Sequence, residues 1–153
     1  KGIGPRIVVE LRLIRAAALK MMQSDLSKRE LLTSHEHVLN YLKAVQAREP
    51  IESFRILFLD KRNQLIADEV QGRGTVDHTP VYIREIVKRA LELGATAMIL
   101  VHNHPSGDPA PSGPDITMTK QIVQAARPLG LTIHDHIIVG RQGHCSMKAM
   151  GLF

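Results

Sequence analysis

Residues 95–101 form an apolar run of strand length that ends directly on His102. A strand that reads apolar without polar alternation is covered on both faces, so the chain must fold as a sheet with helices on either side. The flanking segments fit that demand. Residues 35–48, with Ser34 as N-cap, carry Val38, Leu39, Leu42 and Val45 on one helical face, and Pro50 ends the helix. Residues 54–60 and 64–70 read as two strands joined by a turn at 61–63, and glycines at 72 and 74 break the pattern. A helix over 82–93 is closed by Gly94, another spans 115–127, and strands follow at 131–139 and 145–148. The order is helix, two strands, helix, strand, helix, two strands, which predicts an α/β fold with a mixed sheet flanked by helices.

At 153 residues the chain has room for one full core and a short appendage. Hydrophobic residues at 44% and charged residues at 23% give a globular composition. Cys145 is the single cysteine, which excludes an intramolecular disulfide and any multi-thiolate zinc site, so a metal would have to be held by histidine and carboxylate. No tryptophan, two tyrosines and three phenylalanines argue against an aromatic platform for single-stranded nucleic acid. Apolar stretches are too short to span a bilayer and no signal-peptide core is seen, which predicts a cytosolic protein without membrane contact.

Charge is uneven. Residues 1–22 hold Lys1, Arg6, Arg12, Arg15 and Lys20 against Glu10 alone, so all but one unit of the net charge of +5 lies there. A DNA-contacting appendage and a solvated helix face both fit such a segment. Gly2-Ile3-Gly4-Pro5 before a helical run at 6–22 resembles the second half of a helix-hairpin-helix, whose glycine turn grips a DNA backbone. The domain reading is a partial hairpin remnant at 1–22, a polar linker at 23–33, and the main domain at 34–153.

The segment His102-Asn103-His104 through Asp115 carries the chemistry. Two histidines at i and i+2 at a strand end share one face of the sheet. Prolines at 105, 109, 111 and 114 stiffen the loop that delivers Asp115 to a helix start. Three N/O ligands and one open position are the coordination of a catalytic zinc, one ion per chain, rather than of a closed structural site. A surface loop with hydrogen-bonding histidines is the alternative, and it does not explain why strand, paired histidines, rigid loop and carboxylate coincide.

His-x-His-Pro followed by serine and aspartate three apart resembles the JAMM motif of metal-dependent isopeptidases. The finer match is to the bacterial RadC family, a JAB/MPN-type domain. It is carried by His102-Asn103-His104-Pro105-Ser106-Gly107-Asp108-Pro109 with Pro111-Ser112 and Asp115, by Asp135-His136-Ile137-Ile138-Val139-Gly140, and by Arg84-Glu85-Ile86, from about Ser34 onward. Gly2-Ile3-Gly4-Pro5 matches the family's N-terminal hairpin. Ile83 and Gly72 depart from the usual proline and aromatic, away from the metal motif.

The resemblance implies a glutamate before the first core strand that takes a proton from water. Glu52, in Glu52-Ser53-Phe54, occupies that place, with Glu69 as second choice and Glu85 expected on an exposed helix face. It also implies that Ser112 donates to a tetrahedral oxyanion, in competition with a role as N-cap of the helix near Asp115. The implied activity is zinc-dependent cleavage of peptide or isopeptide bonds, in a family historically tied to DNA repair.

Other histidines repeat the spacing. His35 and His37 diverge on a helix and are expected at the surface. His134 and His136, on a strand, could put two imidazoles on one face, but no further ligand is fixed nearby and a structural role is expected, with Asp135 or His136 buttressing the core; Cys145 is expected to pack inside. Two other function classes compete. A metal-dependent nuclease is suggested by the spelling His-Asn-His, although in such nucleases those residues are scattered over a ββα unit. A non-enzymatic, DNA-associated binding module is the other, although this chain keeps every ligand of the motif. A zinc nucleobase deaminase is excluded, because it needs two cysteine ligands.

Overall fold

The computed structural model describes residues 4–27, 31, 35–74 and 81–153. In chain order it has α1 (Pro5–Leu26), α2 (His35–Gln46), β1 (Ser53–Leu59), β2 (Leu65–Arg73), α3 (Ile83–Glu92), β3 (Ala97–Asn103), α4 (Gly113–Ala126), β4 (Thr132–Gly140) and β5 (Gly143–Ser146), with a 3-10 turn, Arg127–Leu129, after α4. The expected succession of elements is present. Several boundaries differ, four with a physical reason. β2 runs on through Gly72 to Arg73, because Phe54 and Ser53 still pair with those residues. β3 continues past the apolar run because His102 and Asn103 keep pairing with Ile138 and Val139 of β4. α4 begins at Gly113 because Ser112 caps it and Pro114 is tolerated in its first turn. α1 runs on to Leu26, which is 1% exposed and joins the core with Leu31. Gly4 is the N-cap of α1 and Pro5 opens it, whereas Gly2-Ile3 and the expected cap Ser34 lie outside the described residues.

The five strands form one sheet in the order β2-β1-β3-β4-β5. β3 and β4 are parallel and the other neighbours antiparallel, so the sheet is mixed. Strand alternation sorts side chains into two layers. Phe54, Ile56, Phe58, Met98 and Leu100 meet Ile86 and Ala90 of α3 and Ile122 and Ala126 of α4. Leu57, Leu59, Ile99 and Val101 meet Val38, Leu39 and Leu42 of α2. All seven residues of β3 are buried, as its apolar run requires. Each large side chain buried this way contributes about 1.5–3 kcal/mol, so the sheet centre is the stable platform of the molecule.

On the α2 face, Arg55 pairs with Asp68, and the hydroxyl of the buried Tyr41 donates to the same carboxylate. Burial and the Asp68 hydrogen bond push the Tyr41 pKa up. Because β3 and β4 are parallel, their carboxyl ends open at one edge of the sheet, where α/β folds place their ligand sites.

Candidate metal centre

His102 is the sixth residue of β3 and His104 follows its end, tied to β4 by its N–H donating to the Val139 carbonyl at 3.0 Å. Both imidazoles therefore lie on the α3/α4 face of the sheet. Asp115 arrives on the first turn of α4 through a reciprocal capping box. Asp115 N–H donates to Ser112 Oγ (3.2 Å) and Ser112 N–H donates to Asp115 Oδ2 (2.8 Å).

The connecting loop is clamped to the β4–β5 turn: Gln142 N–H donates to the Gly107 carbonyl at 3.1 Å and Arg141 Nη2 to the Pro105 carbonyl at 3.3 Å. Gly140 makes the approach possible, since a Cβ there would stand 2.2 Å from the Gly107 carbonyl oxygen.

The three side chains converge. His102 Nε2 lies 2.8 Å from His104 Nε2 and 3.4 Å from Asp115 Oδ1, and His104 Nε2 lies 3.5 Å from Asp115 Oδ2. Among the described residues this is the one group of three or more histidine, cysteine or carboxylate side chains close enough to hold an ion. His104 Nδ1 faces the Asp108 carbonyl at 2.9 Å, which only accepts, so that nitrogen carries hydrogen and the neutral ring presents a bare Nε2 to the centre. Two ring nitrogens this close to each other and to a carboxylate need a proton or a cation between them.

The electrostatics agree. The Asp115 hydrogen bond, against burial and with help from the Asp108 carbonyl and the Glu52 charge, raises the His104 pKa. Burial pushes the Asp115 carboxyl up, but hydrogen bonds from His102 and His104, their charge and Ser112 outweigh it, leaving Asp115 far below the usual carboxylate range. A pocket of two imidazoles and one carboxylate that favours positive charge could hold a metal ion.

Glu52 immediately precedes β1. Phe54, two residues on, is paired with His102, and the Glu52 charge is near enough to act on His104. Glu69 is elsewhere: it pairs with Ile56 on the outer strand β2, and its carboxylate is held by Arg89 at 2.7 Å. Glu85 is exposed on α3 beside Arg84, as expected. The Ser112 hydroxyl donates to Asp115 Oδ2 at 2.5 Å, so in this structure it orients the carboxylate as well as capping α4.

Three further residues surround the centre, and of these sequence reasoning gave only His136 a role, as a buttress. His136 is fully buried with its Nε2 2.8 Å from His102 Nδ1, and its Nδ1 meets Thr119 Oγ1 at 2.6 Å. Burial, then the His102 charge, holds the His136 pKa well below its usual value. Asn103, the middle residue of the His-x-His, points to the opposite face and bonds to the backbone on both sides of Glu52. Thr119 had one sequence signal, its spacing of four from Asp115 on a helix. Asn103 and its partner Gln46 had none.

His35 and His37 are exposed on α2. His134 does not share a face with His136 in regular alternation, because a bulge interrupts β4 between Ile133 and Asp135, and it bonds instead to Asn63 Oδ1 at 2.7 Å. Asp135 accepts from Ser146 Oγ (2.6 Å) and Lys148 N–H (3.1 Å), tying β4 to β5. Cys145 corrects the expectation of a core thiol: β5 is the edge strand, so the side chain is half-buried, with Sγ 3.0 Å from Met150 Sδ.

A family model of the RadC-like JAB domain matches residues 32–152, and the chain belongs to that family. The five-stranded mixed sheet between helices is its α/β architecture. No helix among the described residues is long and apolar enough to cross a membrane.

Proposed function

We propose that this chain is a zinc-dependent hydrolase of the JAMM type that cleaves peptide or isopeptide bonds. The observation that carries the reading is the convergence of His102, His104 and Asp115 at the carboxyl end of β3, with Glu52 just before the neighbouring strand and near enough for its charge to act on His104. A zinc ion held by the three side chains would supply Lewis acidity, acidifying water and polarising a carbonyl. Glu52 accepts the proton of the attacking water and returns it to the leaving amine, which suits a carboxylate at the mouth of the site. Ser112 turns its hydroxyl proton from Asp115 Oδ2 to the developing oxyanion, at a point where a hydrogen bond counts most in the transition state. His102 is 2% exposed, which limits water on the ligand side.

Glu52→Gln separates this enzyme from a scaffold with the same fold. The amide keeps the size and leaves the ligands alone, so zinc content should stay at that of wild type. Hydrolysis of a generic peptide or isopeptide substrate should fall by about a hundredfold or more, the usual cost of removing a positioned base. Full activity would remove Glu52 from the mechanism. Loss of zinc would make Glu52 a ligand, and no cleavage by wild type would favour the binding module.

A second reading concerns α1, where Arg6 and Arg15 are exposed and Arg12 and Arg15 line a groove of about 440 Å³ with Arg55 and Arg73. We propose that this basic side contacts DNA phosphates. Changing Arg6, Arg12, Arg15 and Lys20 together to glutamine should weaken DNA binding and flatten its salt dependence, the slope falling by about 0.9 for each phosphate that is no longer neutralised. An unchanged slope would refute it.

A further inference from the structure

The imidazole of His102 has two nitrogens, and a cation at the centre can use only Nε2, with its hydrogen absent. Free imidazole does not enforce that choice; a partner at the other nitrogen must. The structure contains such a partner and fixes its polarity from the far end. Thr119 Oγ1 has one proton. It lies 2.6 Å from the Asp115 main-chain carbonyl, which only accepts, and 3.8 Å from Met147 Sδ, a weak acceptor. The proton goes to the carbonyl, so Oγ1 must accept from His136 Nδ1 at 2.6 Å. His136 is fully buried and its ring is neutral, which leaves Nε2 bare. That bare nitrogen, 2.8 Å away, accepts from His102 Nδ1–H, and His102 Nε2 is left as a lone pair aimed at His104 and Asp115.

We propose that His136 and Thr119 are positioning residues that set the tautomer of His102, and with it the nitrogen offered to the metal. The proposal rests on the metal-site reading above and deepens it. The chain of donors is closed: it starts on the carbonyl of Asp115 and ends on the imidazole that shares the cation with the Asp115 carboxylate. Strand β3, strand β4 and helix α4 are thereby held in one register around the site. Without the chain, His102 is free to place its hydrogen on Nε2, where it blocks the cation.

The test has two readouts on the full chain. In metal-free protein labelled with ¹⁵N-histidine, long-range ¹H–¹⁵N correlation spectra should show His102 and His136 as Nδ1–H tautomers, with each resonance assigned by loss in His102→Gln and His136→Gln. Zinc affinity, measured by competition with a chelator, should fall tenfold to a hundredfold in Thr119→Val, where the acceptor is gone, and stay near wild type in Thr119→Ser. The His102 signal in Thr119→Val should move towards the Nε2–H pattern. A wild-type His102 found as Nε2–H overturns the proposal, and so does Thr119→Val with unchanged tautomer and affinity, while zinc binding by wild type leaves the metal reading standing. Wild type that binds zinc no better than His104→Ala fails the metal reading itself and takes the proposal with it. If Thr119→Val does not fold, the wild-type tautomers and Thr119→Ser against His136→Gln still decide.

Discussion

His102 and Asn103 are consecutive on β3 and both buried, at 2% and 0% exposed, yet alternation sends them to opposite faces with opposite designs. On the α2 face every polar atom of Asn103 is satisfied. Oδ1 accepts from Ser53 N–H (3.0 Å) and Gln46 Nε2 (3.1 Å), and Nδ2 donates to the carbonyls of Ile51 (3.1 Å) and Glu49 (3.3 Å). Gln46 in turn accepts from Arg55 Nε at 3.2 Å. On the other face, His102, His104 and Asp115 aim acceptors at one point. A saturated network makes a fixed frame, whereas converging lone pairs make a demand for a cation. The frame also serves the chemistry, because the Asn103 amide grips the backbone at 51 and 53, on both sides of Glu52.

The largest effect should come from the converging face. On the zinc reading, wild type should bind about one zinc per chain and His104→Ala and Asp115→Ala should each lose it, while the unfolding midpoint of the metal-free protein stays close to wild type. The ligands sit above a core that is complete without them. Metal analysis and thermal unfolding of the same preparations check this. Equal zinc in wild type and both variants would break the comparison at its first step.

The saturated face should respond in the opposite sense. Asn103→Leu leaves the buried Ser53 N–H without its acceptor and takes one partner each from Gln46, Glu49 and Ile51, and should cost about 1–3 kcal/mol of stability. Chemical denaturation of metal-free protein measures it. A midpoint within error of wild type would show that the network is ornament rather than frame.

The same contrast explains what could be read before the fold was known. The apolar run of β3, the His-x-His and the proline-stiffened loop are local signals, so the succession of strands and helices and the three converging side chains were legible from periodicity and spacing, whereas the strand order was not. Glu52 came only through resemblance to the JAMM motif, because what sets it apart from Glu69 is register. Asn103 and Ser53 are 50 residues apart in sequence, and His102 and His136 are 34 apart. Nothing in a one-dimensional pattern joins such pairs. Cys145 was misplaced for a related reason: an apolar residue in a short strand gives no sign that its strand is the edge.

Ion pairs carry the contrast to its smallest expected effect. On the α2 face the Arg55–Asp68 pair has side chains 15% and 1% exposed, the kind of pair whose rupture leaves an uncompensated buried charge. On the α3 side, Arg89 and Glu69 are 39% and 30% exposed, with bonds of 3.0 Å from Nε and 2.7 Å from Nη2. The Arg89 hydrogen bond, against a smaller push from burial, holds Glu69 below its usual pKa of 4.5. A carboxyl whose pKa is depressed by folding stabilises the native state above its unfolded pKa and loses that contribution as pH falls through the folded value. Solvent screens this pair, so Arg89→Met should lower the midpoint only slightly at neutral pH. The gap should close in acid, where protonation of Glu69 removes the interaction from wild type as well. Midpoints of wild type and Arg89→Met followed from neutral pH to well below 4.5 should therefore converge. A gap that widens as pH falls would reverse the sign, and one as large as that of Arg55→Met would mean that this pair belongs to the frame after all.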